Sequence, residues 1–461
     1  MMVKQIIKTR RDIPSVEILV SDKAITAASK NIARPLTVEI VKQVIESLKA
    51  GIDCGKISLP YSGLKKDIIK EINRVALKKI DRVINGTGIL VHTNLGRAPL
   101  SEDLFDSIKS QITGYGNVEF DIYSGKRGKR GELAEKYLSL AAGTEAGTVV
   151  NNNAAALFLI LNTFANRKKV IISRGELVQI GGGFRIPDII KKSGAKMIEI
   201  GTTNITTLDD YKAALNENPT MILKVHKSNY SIGGFTGEAN IRELAVLGKK
   251  NDIMVVNDLG SGVFVDTVDF TGEHEPTVQN SVRDGADITC FSGDKLLGGI
   301  QAGLIAGTRK YISKIKKNPL FRTMRVDKTV FSALEKLLGY YLDGTWSKKI
   351  KLWQLASRKE ADLYKMGRKL LKKIDGGDKI VLEGSQGRMG GGSLPEVALP
   401  SAALVFISEK SPESIARLFR ENTPPIVGRI TDEHFLIDLK AIDEADLDLL
   451  ADVIKTQLTK L

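Results

Sequence analysis

The stretch Ser292-Gly293-Asp294-Lys295-Leu296-Leu297-Gly298-Gly299 follows the apolar run 286–291 and precedes a second apolar run at 302–306. This pattern predicts a buried strand, a turn of small residues that presents one lysine, and a second strand. A lysine that is held at a strand end and shielded from water can form a Schiff base with a carbonyl cofactor. The alternative is a surface lysine in a β-turn, which this stretch by itself favours.

The surrounding sequence predicts that the strand belongs to a mostly parallel sheet. Residues 140–310 alternate short apolar runs with helical stretches, a pattern typical of a sheet covered by helices on both faces. Ligands of such sheets bind beyond the carboxyl ends of the strands, so polar residues that directly follow these runs are the first candidates for a site. The strand candidates are residues 148–150, 169–172, 197–200, 221–225, 252–256, 288–291 and 304–306.

Two more strand ends carry candidate chemistry. Asn151-Asn152-Asn153-Ala154 follows the first strand candidate, and a helix that begins near Asn153 would offer unpaired N–H groups to a phosphate. Asp258 follows another strand and could pair with a protonated pyridine nitrogen. Capping of a helix or loop is the structural alternative for both. Four features together favour pyridoxal 5′-phosphate as the cofactor. They are the helix start that could bind a phosphate, the carboxylate of Asp258, Ser292 and Lys295.

Three arginines and a second polar segment extend this candidate cleft. Arg97 ends the segment 92–97, and Arg322 and Arg325 are predicted to share one face of a helical turn. Arginine side chains suit tetrahedral oxyanions, although a solvated salt bridge is the alternative for any one of them. His226 and Asn229 follow a strand candidate and are expected to face the same cleft. Spacing does not rank His226 as a core histidine, a cofactor contact or a proton carrier.

Composition limits the class of protein. The chain has 461 residues, of which 42% are hydrophobic and 26% charged, as in globular proteins with two or three domains. No run approaches the ~20 apolar residues of a membrane span, and the N-terminus lacks the pattern of a signal peptide. Two distant cysteines and four dispersed histidines predict a reducing cytoplasm and no metal site.

The positive charge is unevenly distributed. The net charge is +14, and residues 1–80 hold 16 lysines and arginines against 8 aspartates and glutamates. Residues 36–48 and 64–80 have helical apolar stripes, so residues 1–80 are predicted to form a basic helical module. Such a module suits a polyanion such as tRNA, with a solvated basic face as an equal alternative. The basic segment 124–131 could likewise contact RNA or form an exposed flexible loop.

The remaining chain completes a three-part prediction. Residues 81–330 are expected to form a large cofactor-binding domain around the mostly parallel sheet. Residues 331–461 are expected to form a linking helical stretch, which reaches about residue 374, and a small α/β domain. Strands at 402–407 and 434–439 and a final helix from about residue 444 define the small domain.

Ordered motifs along most of the chain resemble those of bacterial selenocysteine synthases, the L-seryl-tRNA(Sec) selenium transferases. Residues 1–80 resemble the family only weakly. A further departure is Ile300, which stands where the family usually has proline after the lysine motif. The segments that carry the resemblance are 84–88, 92–97, 150–156, 173–178, 184–187, 201–204, 228–232, 258–262, 291–299, 392–395, 399–402 and 425–430.

The resemblance implies a fold-type-I pyridoxal-phosphate enzyme of the aspartate-aminotransferase-like class. Its reaction would be β-elimination of the hydroxyl from serine on the selenocysteine tRNA, giving aminoacrylyl-tRNA, followed by addition of selenium from selenophosphate. Lys295 would hold the cofactor, and Arg97, Arg322 and Arg325 would bind the phosphate of the selenium donor. The basic module would hold the tRNA, and the chain would assemble as a ring of dimers, a decamer being one such assembly.

The expected cofactor contacts are Asn152, Asn153, Ala154, His226, Asn229, Asp258, Ser292 and Lys295.

Two alternatives to this function stay open. A related pyridoxal-phosphate lyase or transferase could act on a small free amino acid or amino sugar, although it would not need the basic N-terminal extension. A non-catalytic RNA-binding protein could keep the fold, although it would not need Lys295 and Asp258.

Overall fold

The computed structural model describes residues 6–54, 58–227, 229–391, 394 and 397–461, without the side chains of residues 180 and 184. The chain divides into two units. One comprises Met1–Val83 with Glu421–Pro425, and the other comprises Ile84–Arg420 with Ile426–Leu461. Of the segments that carry the family resemblance, residues 228, 392, 393 and 395 lie outside the described residues.

The N-terminal unit is helical, as its apolar stripes predict, and it has its own apolar core. That core includes Ile40, Val41, Ile68 and Ile72, which come from the two longest helices. The predicted extension of the last helix to residue 80 is wrong, because the helix ends at Ala76 and the Ile80 side chain is exposed. The helices are Val16–Val20, Lys23–Ala28, Arg34–Asp53 and Tyr61–Ala76, beside a small sheet of Ile6–Ile7 and Leu59–Pro60.

A seven-stranded sheet forms the centre of the second unit. In chain order its strands are β1 (Ala146–Val150), β2 (Lys169–Ser173), β3 (Lys196–Ile200), β4 (Met221–Val225), β5 (Met254–Gly260), β6 (Ile288–Ser292) and β7 (Gly303–Gly307). The spatial order is β3-β2-β4-β5-β6-β7-β1, and only β7 runs antiparallel to its neighbours. Most of these strands are apolar because both faces of the sheet are buried there, whereas β3 lies at an edge and keeps Lys196, Met197 and Glu199 exposed. The predicted mostly parallel sheet is confirmed.

Helices cover this sheet, and several begin at side-chain caps that the sequence provides. Asn240 accepts a hydrogen bond from the Glu243 N–H at 2.9 Å, and Thr277 accepts one from the Asn280 N–H at 3.0 Å. The helices are Glu102–Thr113, Glu132–Ala142, Asn153–Ala165, Ile186–Lys192, Leu208–Ala213, Ile241–Lys250, Val268–Thr271, Val278–Arg283, Arg309–Lys317 and Pro319–Thr323.

The helical stretch predicted to follow residue 327 consists of four helices. The first break follows Leu342, where Gly344 adopts a left-handed conformation that ends the helix. Beyond the helices, the chain returns to strands and builds a second sheet. The four helices are Lys328–Leu342, Trp346–Lys349, Lys351–Ala356 and Glu360–Ile374.

The second sheet has five strands and two further helices. Its spatial order is Arg429–Thr431, His434–Asp438, Ala398–Phe406, Ile380–Gly390 and Ile89–Val91. The helices are Pro412–Arg420 and Leu447–Leu458. Because Ile89–Val91 pairs with this sheet, the early segment 84–91 lies beside C-terminal strands before it leads to residues 92–97. The division of the chain at residues 80 and 330 stays a prediction.

Candidate active site

The predicted strand ends meet at one edge of the central sheet. Gly303, the first residue of β7, is paired with Val150 of β1 on one side and with Ser292 of β6 on the other. Asp258 in β5 is paired with Val225 of β4 and with Cys290 of β6. The carboxyl ends of β1, β4, β5 and β6 therefore border one cleft, as expected for a sheet of this class.

The helix after β1 begins in close contact with this edge. A Cβ atom on Gly303 would lie 2.1 Å from the Asn152 carbonyl oxygen, so only glycine lets the helix start approach β7 this closely. The helix begins at Asn153, as predicted, and the Asn152 side chain caps it by accepting from the Ala155 N–H at 2.9 Å. Ala154 lies in the first turn, where N–H groups can bind an anion.

Asp258 lies at an irregularity in β5. The pairing register with β6 shifts between Asp258 and Gly260, and Gly260 has a φ of +67° that favours glycine. Asn153 Nδ2 donates to Asp258 Oδ1 at 2.8 Å, which joins the helix start to the carboxylate. Burial raises the pKa of Asp258, while the hydrogen bond from Asn153 and the charge of Lys295 lower it. A cationic ring nitrogen would add a further partner that favours the carboxylate.

Lys295 is buried in the connection between β6 and β7. The turn is held by bonds from Gly293 N to Ala302 O at 2.9 Å and from Leu296 N to Ser261 O at 3.0 Å. Burial lowers the pKa of Lys295, and the charges of Asp258 and Asp294 partly oppose that shift. A lowered pKa increases the fraction of neutral amine, which is the nucleophilic form that reacts with an aldehyde.

Polar atoms without partners surround the lysine and the aspartate. Within the described part of the chain, Asn153 Oδ1, His226 Nδ1 and Glu275 Oε1 are buried and accept or donate no hydrogen bond. Charges on His226 and Glu275 act on Asp258 and Lys295, respectively, which places these groups around one site. Buried polar atoms without partners are costly, so this cluster indicates a polar ligand. Pyridoxal phosphate has a ring nitrogen, a hydroxyl, an aldehyde and a phosphate, and these residues fit it.

Arg97 is brought beside the lysine. Its guanidinium forms an ion pair with Asp294, the residue that precedes Lys295, and its charge lowers the pKa of Lys295. The Arg97 N–H donates to the His92 carbonyl at 2.9 Å, which closes a turn in which Arg97 has a φ of +65°. Residues 92–97 therefore form one wall of the cleft.

Arg322 and Arg325 lie near the end of β1, but they do not share a helical face as predicted. The helix Pro319–Thr323 ends before Arg325. The Met324 carbonyl accepts from the Asn151 N–H at 2.9 Å, so the chain between the two arginines is tied to the end of β1. Arg325 Nη1 also lies 3.8 Å from Glu119 Oε1.

The remaining predicted contacts occupy the same sheet edge. The His226 N–H donates to the Asp258 carbonyl at 3.0 Å, and Asn229 Nδ2 donates to the Gln179 carbonyl at 2.7 Å. Ser292 is buried at the end of β6. The roles of these residues stay predictions.

Two site residues were not identified from the sequence. Asp294 directly precedes Lys295, and an acidic position next to a candidate lysine is a usable signal. Glu275 lies in a loop with no strand end or motif, and only the fold brings it to His226, where Oε1 lies 3.7 Å from Nε2. Among the described residues, no group of three or more His, Cys, Asp or Glu side chains is placed to share a metal ion.

Comparisons with known proteins give consistent matches over nearly the whole chain. The family model described as "SelA: L-seryl-tRNA selenium transferase" matches residues 83–443. The L-seryl-tRNA(Sec) selenium transferase of Carboxydothermus hydrogenoformans is 39% identical over 96% of this chain and 96% of its own length. That of Aquifex aeolicus is 41% identical over 95% and 96%.

A solved structure matches the fold. The structure titled "Structure of D-Glucosaminate-6-phosphate Ammonia-lyase" has a TM-score of 0.59 and 16% identity, and the match covers 83% of this chain and 96% of that one. At this identity the similarity concerns the fold alone.

Proposed function

This chain belongs to the L-seryl-tRNA selenium transferase family, and from that membership we propose that it converts L-seryl-tRNA(Sec) to L-selenocysteinyl-tRNA(Sec). The reaction replaces the β-hydroxyl of the esterified serine by selenium. We propose selenophosphate as the donor and β-elimination to aminoacrylyl-tRNA as the first stage. The observation that carries this proposal is the group of buried Asp258 and Lys295 with partly buried Asn153 at the sheet edge.

The cofactor is pyridoxal 5′-phosphate, which when bound withdraws electrons from the substrate α-carbon and so makes loss of the β-hydroxyl feasible. Lys295 would supply the amine that anchors it, and Asp258 would pair with its ring nitrogen. The start of the helix Asn153–Ala165 and Ser292 hold its phosphate. Burial of these groups excludes water from the reacting atoms.

The chain's own side chains then move protons and bind the donor. The Lys295 amine, or a nearby base, would accept the α-proton of the substrate. The hydroxyl leaves as water once it gains a proton. Selenium then bonds to the β-carbon and the α-carbon regains a proton, while water cleaves the Se–P bond and takes up the phosphoryl group as phosphate. Arg97, Arg322 and Arg325 would hold that phosphate.

One assay tests the whole proposal. Purified protein with pyridoxal phosphate is incubated with seryl-tRNA(Sec) and selenophosphate, and the amino acid released from the tRNA is identified. We expect selenocysteine, and recovery of serine alone would falsify the assignment. Turnover of a small free amino acid or amino sugar, with no change in the charged tRNA, would favour the related lyase or transferase. The basic N-terminal unit, with a core of its own, supports the tRNA substrate over that alternative.

Removal of residues 1–80 is expected to weaken tRNA binding by more than ~10-fold at low salt, because the segment carries a large share of the positive charge. The measurement compares the shortened protein with the full chain by filter binding at two salt concentrations. The full chain should also lose affinity steeply as salt rises. Equal affinity of the two proteins would show that the unit has another role.

Replacement of Arg322 by alanine is expected to lower selenium incorporation by ~10- to 100-fold while aminoacrylyl-tRNA still forms, since one charge-assisted contact to phosphate is lost. The two stages are measured separately, as water loss and as selenium transfer. Arg283→Ala is the control, because Arg283 is also an exposed arginine in the last turn of a short helix. A loss confined to the elimination stage would contradict a role in donor binding.

The assembly and its location follow the family resemblance. We propose a homo-oligomer, built as a ring of dimers, that works in the cytoplasm where charged tRNA is found. No helix of the described ranges has both the length and the apolar character needed to cross a membrane.

A further inference from the structure

The basic segment 124–131 is part of an ordered hairpin. Phe120–Asp121 pairs antiparallel with Lys126–Arg127. Asp121 closes the turn, because its carboxylate accepts from the Tyr123 N–H at 3.0 Å and from Ser124 Oγ at 2.7 Å. The hydrogen bond from Ser124 is the largest of the effects that lower the pKa of Asp121. The segment is largely exposed, and it forms a hairpin whose turn is closed by hydrogen bonds to Asp121.

A cluster of arginines surrounds one carboxylate at the base of the hairpin. Arg127 Nη2 and Arg130 Nε each lie 2.8 Å from Glu119, and Arg325 Nη1 lies 3.8 Å from it. Arg130 and Arg127 lower the pKa of Glu119, chiefly through the hydrogen bond from Arg130. Three guanidinium groups share one negative charge, so the cluster keeps a surplus of positive charge. Such a surplus attracts anions.

Aromatic side chains stand beside these charges. Tyr115 and Tyr123 are fully exposed, with relative accessibilities of 109% and 100%, and Phe120 is half exposed. A cavity of about 600 Å³ lies next to them, and its lining includes Phe120, Tyr123, Lys129 and Lys328 together with the acidic residues Asp121, Glu132 and Glu335. Exposed aromatic rings that alternate with cations are typical of surfaces that stack the bases and bind the phosphates of single-stranded nucleic acid.

The cluster is connected to the candidate active site through Arg325. The carbonyl of its neighbour Met324 accepts a hydrogen bond from the Asn151 N–H at 2.9 Å. This contact lies at the end of β1, next to the helix start that would bind the cofactor phosphate. Arg130 Nη1 donates to the Val326 carbonyl at 3.0 Å and so ties the hairpin to the same segment. A strand of nucleic acid on the hairpin would therefore have its end near the cleft that holds Lys295.

We propose that this hairpin surface, formed by Tyr115, Phe120, Tyr123, Arg127 and Lys129, binds the single-stranded 3′ end of the aminoacylated tRNA and directs its ester to Lys295. The inference rests on the proposed function, which supplies a polyanion whose reactive group is at a single-stranded end. A second copy of the chain is the other candidate occupant. Charge disfavours it, because a two-fold interface would set this positive surface against itself.

The test uses the full-length variant Tyr123→Ala/Arg127→Ala, which removes one stacking ring and one cation. We expect the KM for seryl-tRNA(Sec) to rise by ~10-fold or more, from ~1–3 kcal/mol per lost stacked base and one lost phosphate contact. The KM for selenophosphate should not change. Arg242→Ala is the control, because Arg242 is an exposed arginine paired with Asp284 at 2.9 Å and lies outside the hairpin.

A binding measurement separates this inference from the proposed reaction. Uncharged tRNA is compared with the same tRNA trimmed of its single-stranded 3′ nucleotides. The wild-type protein should bind the intact tRNA more tightly, and the double variant should lose that difference. Failure of selenocysteine formation with this difference intact would overturn the reaction and leave the hairpin surface supported. An equal loss for both tRNAs, a rise in the KM for selenophosphate alone, or a change only in the sedimenting mass would each overturn the hairpin inference.

Discussion

Replacing Lys295 by alanine is expected to remove the visible absorbance of bound pyridoxal phosphate and to lower selenocysteine formation by at least ~10⁴-fold. The substitution deletes the amine that we propose anchors the cofactor and accepts the α-proton, and proton transfer alone contributes ~10²- to 10⁴-fold. The measurements are the absorption spectrum after dialysis and the rate of selenocysteinyl-tRNA formation. Binding of tRNA should be largely unchanged, since the basic N-terminal unit is intact.

Lys440 provides a matched control for the lysine. It is also buried, burial lowers its pKa to about 8, and its Nζ donates to the Arg358 carbonyl at 2.7 Å. If a buried amine with a low pKa were enough to capture the cofactor, Lys440 would compete for it. We expect Lys440→Met to keep the full absorbance. Persistence of the band in Lys295→Ala would mean that another amine anchors the cofactor.

Replacing Asp258 by asparagine is expected to slow the elimination stage by ~10²- to 10³-fold while the cofactor stays attached. Asparagine keeps an oxygen that can accept from Asn153 Nδ2, so the local packing is preserved. The negative charge opposite the ring nitrogen is lost, and with it the preference for the protonated ring. The rate of aminoacrylyl-tRNA formation, followed at saturating seryl-tRNA, measures the effect.

The control for this substitution is Asp287→Asn. Burial also raises the pKa of Asp287, and its carboxylate accepts from the Val255 N–H at 2.8 Å. Asp287 is bonded to the start of β5, whereas Asp258 lies near the end of that strand, so its charge is not directed at the cleft. We expect a near-normal rate for Asp287→Asn. An equal loss in both variants would indicate a general effect of losing buried carboxylates.

The central sheet could be predicted because most of its strands are buried on both faces and contain short apolar runs. The strand Ile380–Gly390 could not, because glycines and polar residues interrupt it and the adjacent strands of the second sheet supply its pairing. Local pattern also failed at Arg325. Its spacing from Arg322 fits a helix, but the Met324 carbonyl bonds to Asn151, a residue distant in sequence.

The candidate site also contains residues that could be predicted from the sequence and residues that could not. Lys295 and Asn153 follow apolar strands and Asp258 lies near the end of one, so topology alone predicts that they meet. Glu275 follows no strand, and its place near His226 depends on how a loop folds back onto the sheet. Residues that are positioned by strand ends can thus be found from sequence, and residues positioned by loop packing require the coordinates.

The antiparallel direction of β7 has a consequence for how the enzyme binds its cofactor. Lys295 lies in the connection, or link, between β6 and β7. These two strands are held together by antiparallel pairing along five residue pairs. Pairing of the two strands already restricts the backbone of this connection before pyridoxal phosphate binds. Binding therefore costs little backbone conformational entropy and involves mainly the Lys295 side chain. Amide protons of the link should therefore exchange slowly with deuterated solvent in the empty protein as well as in the loaded one.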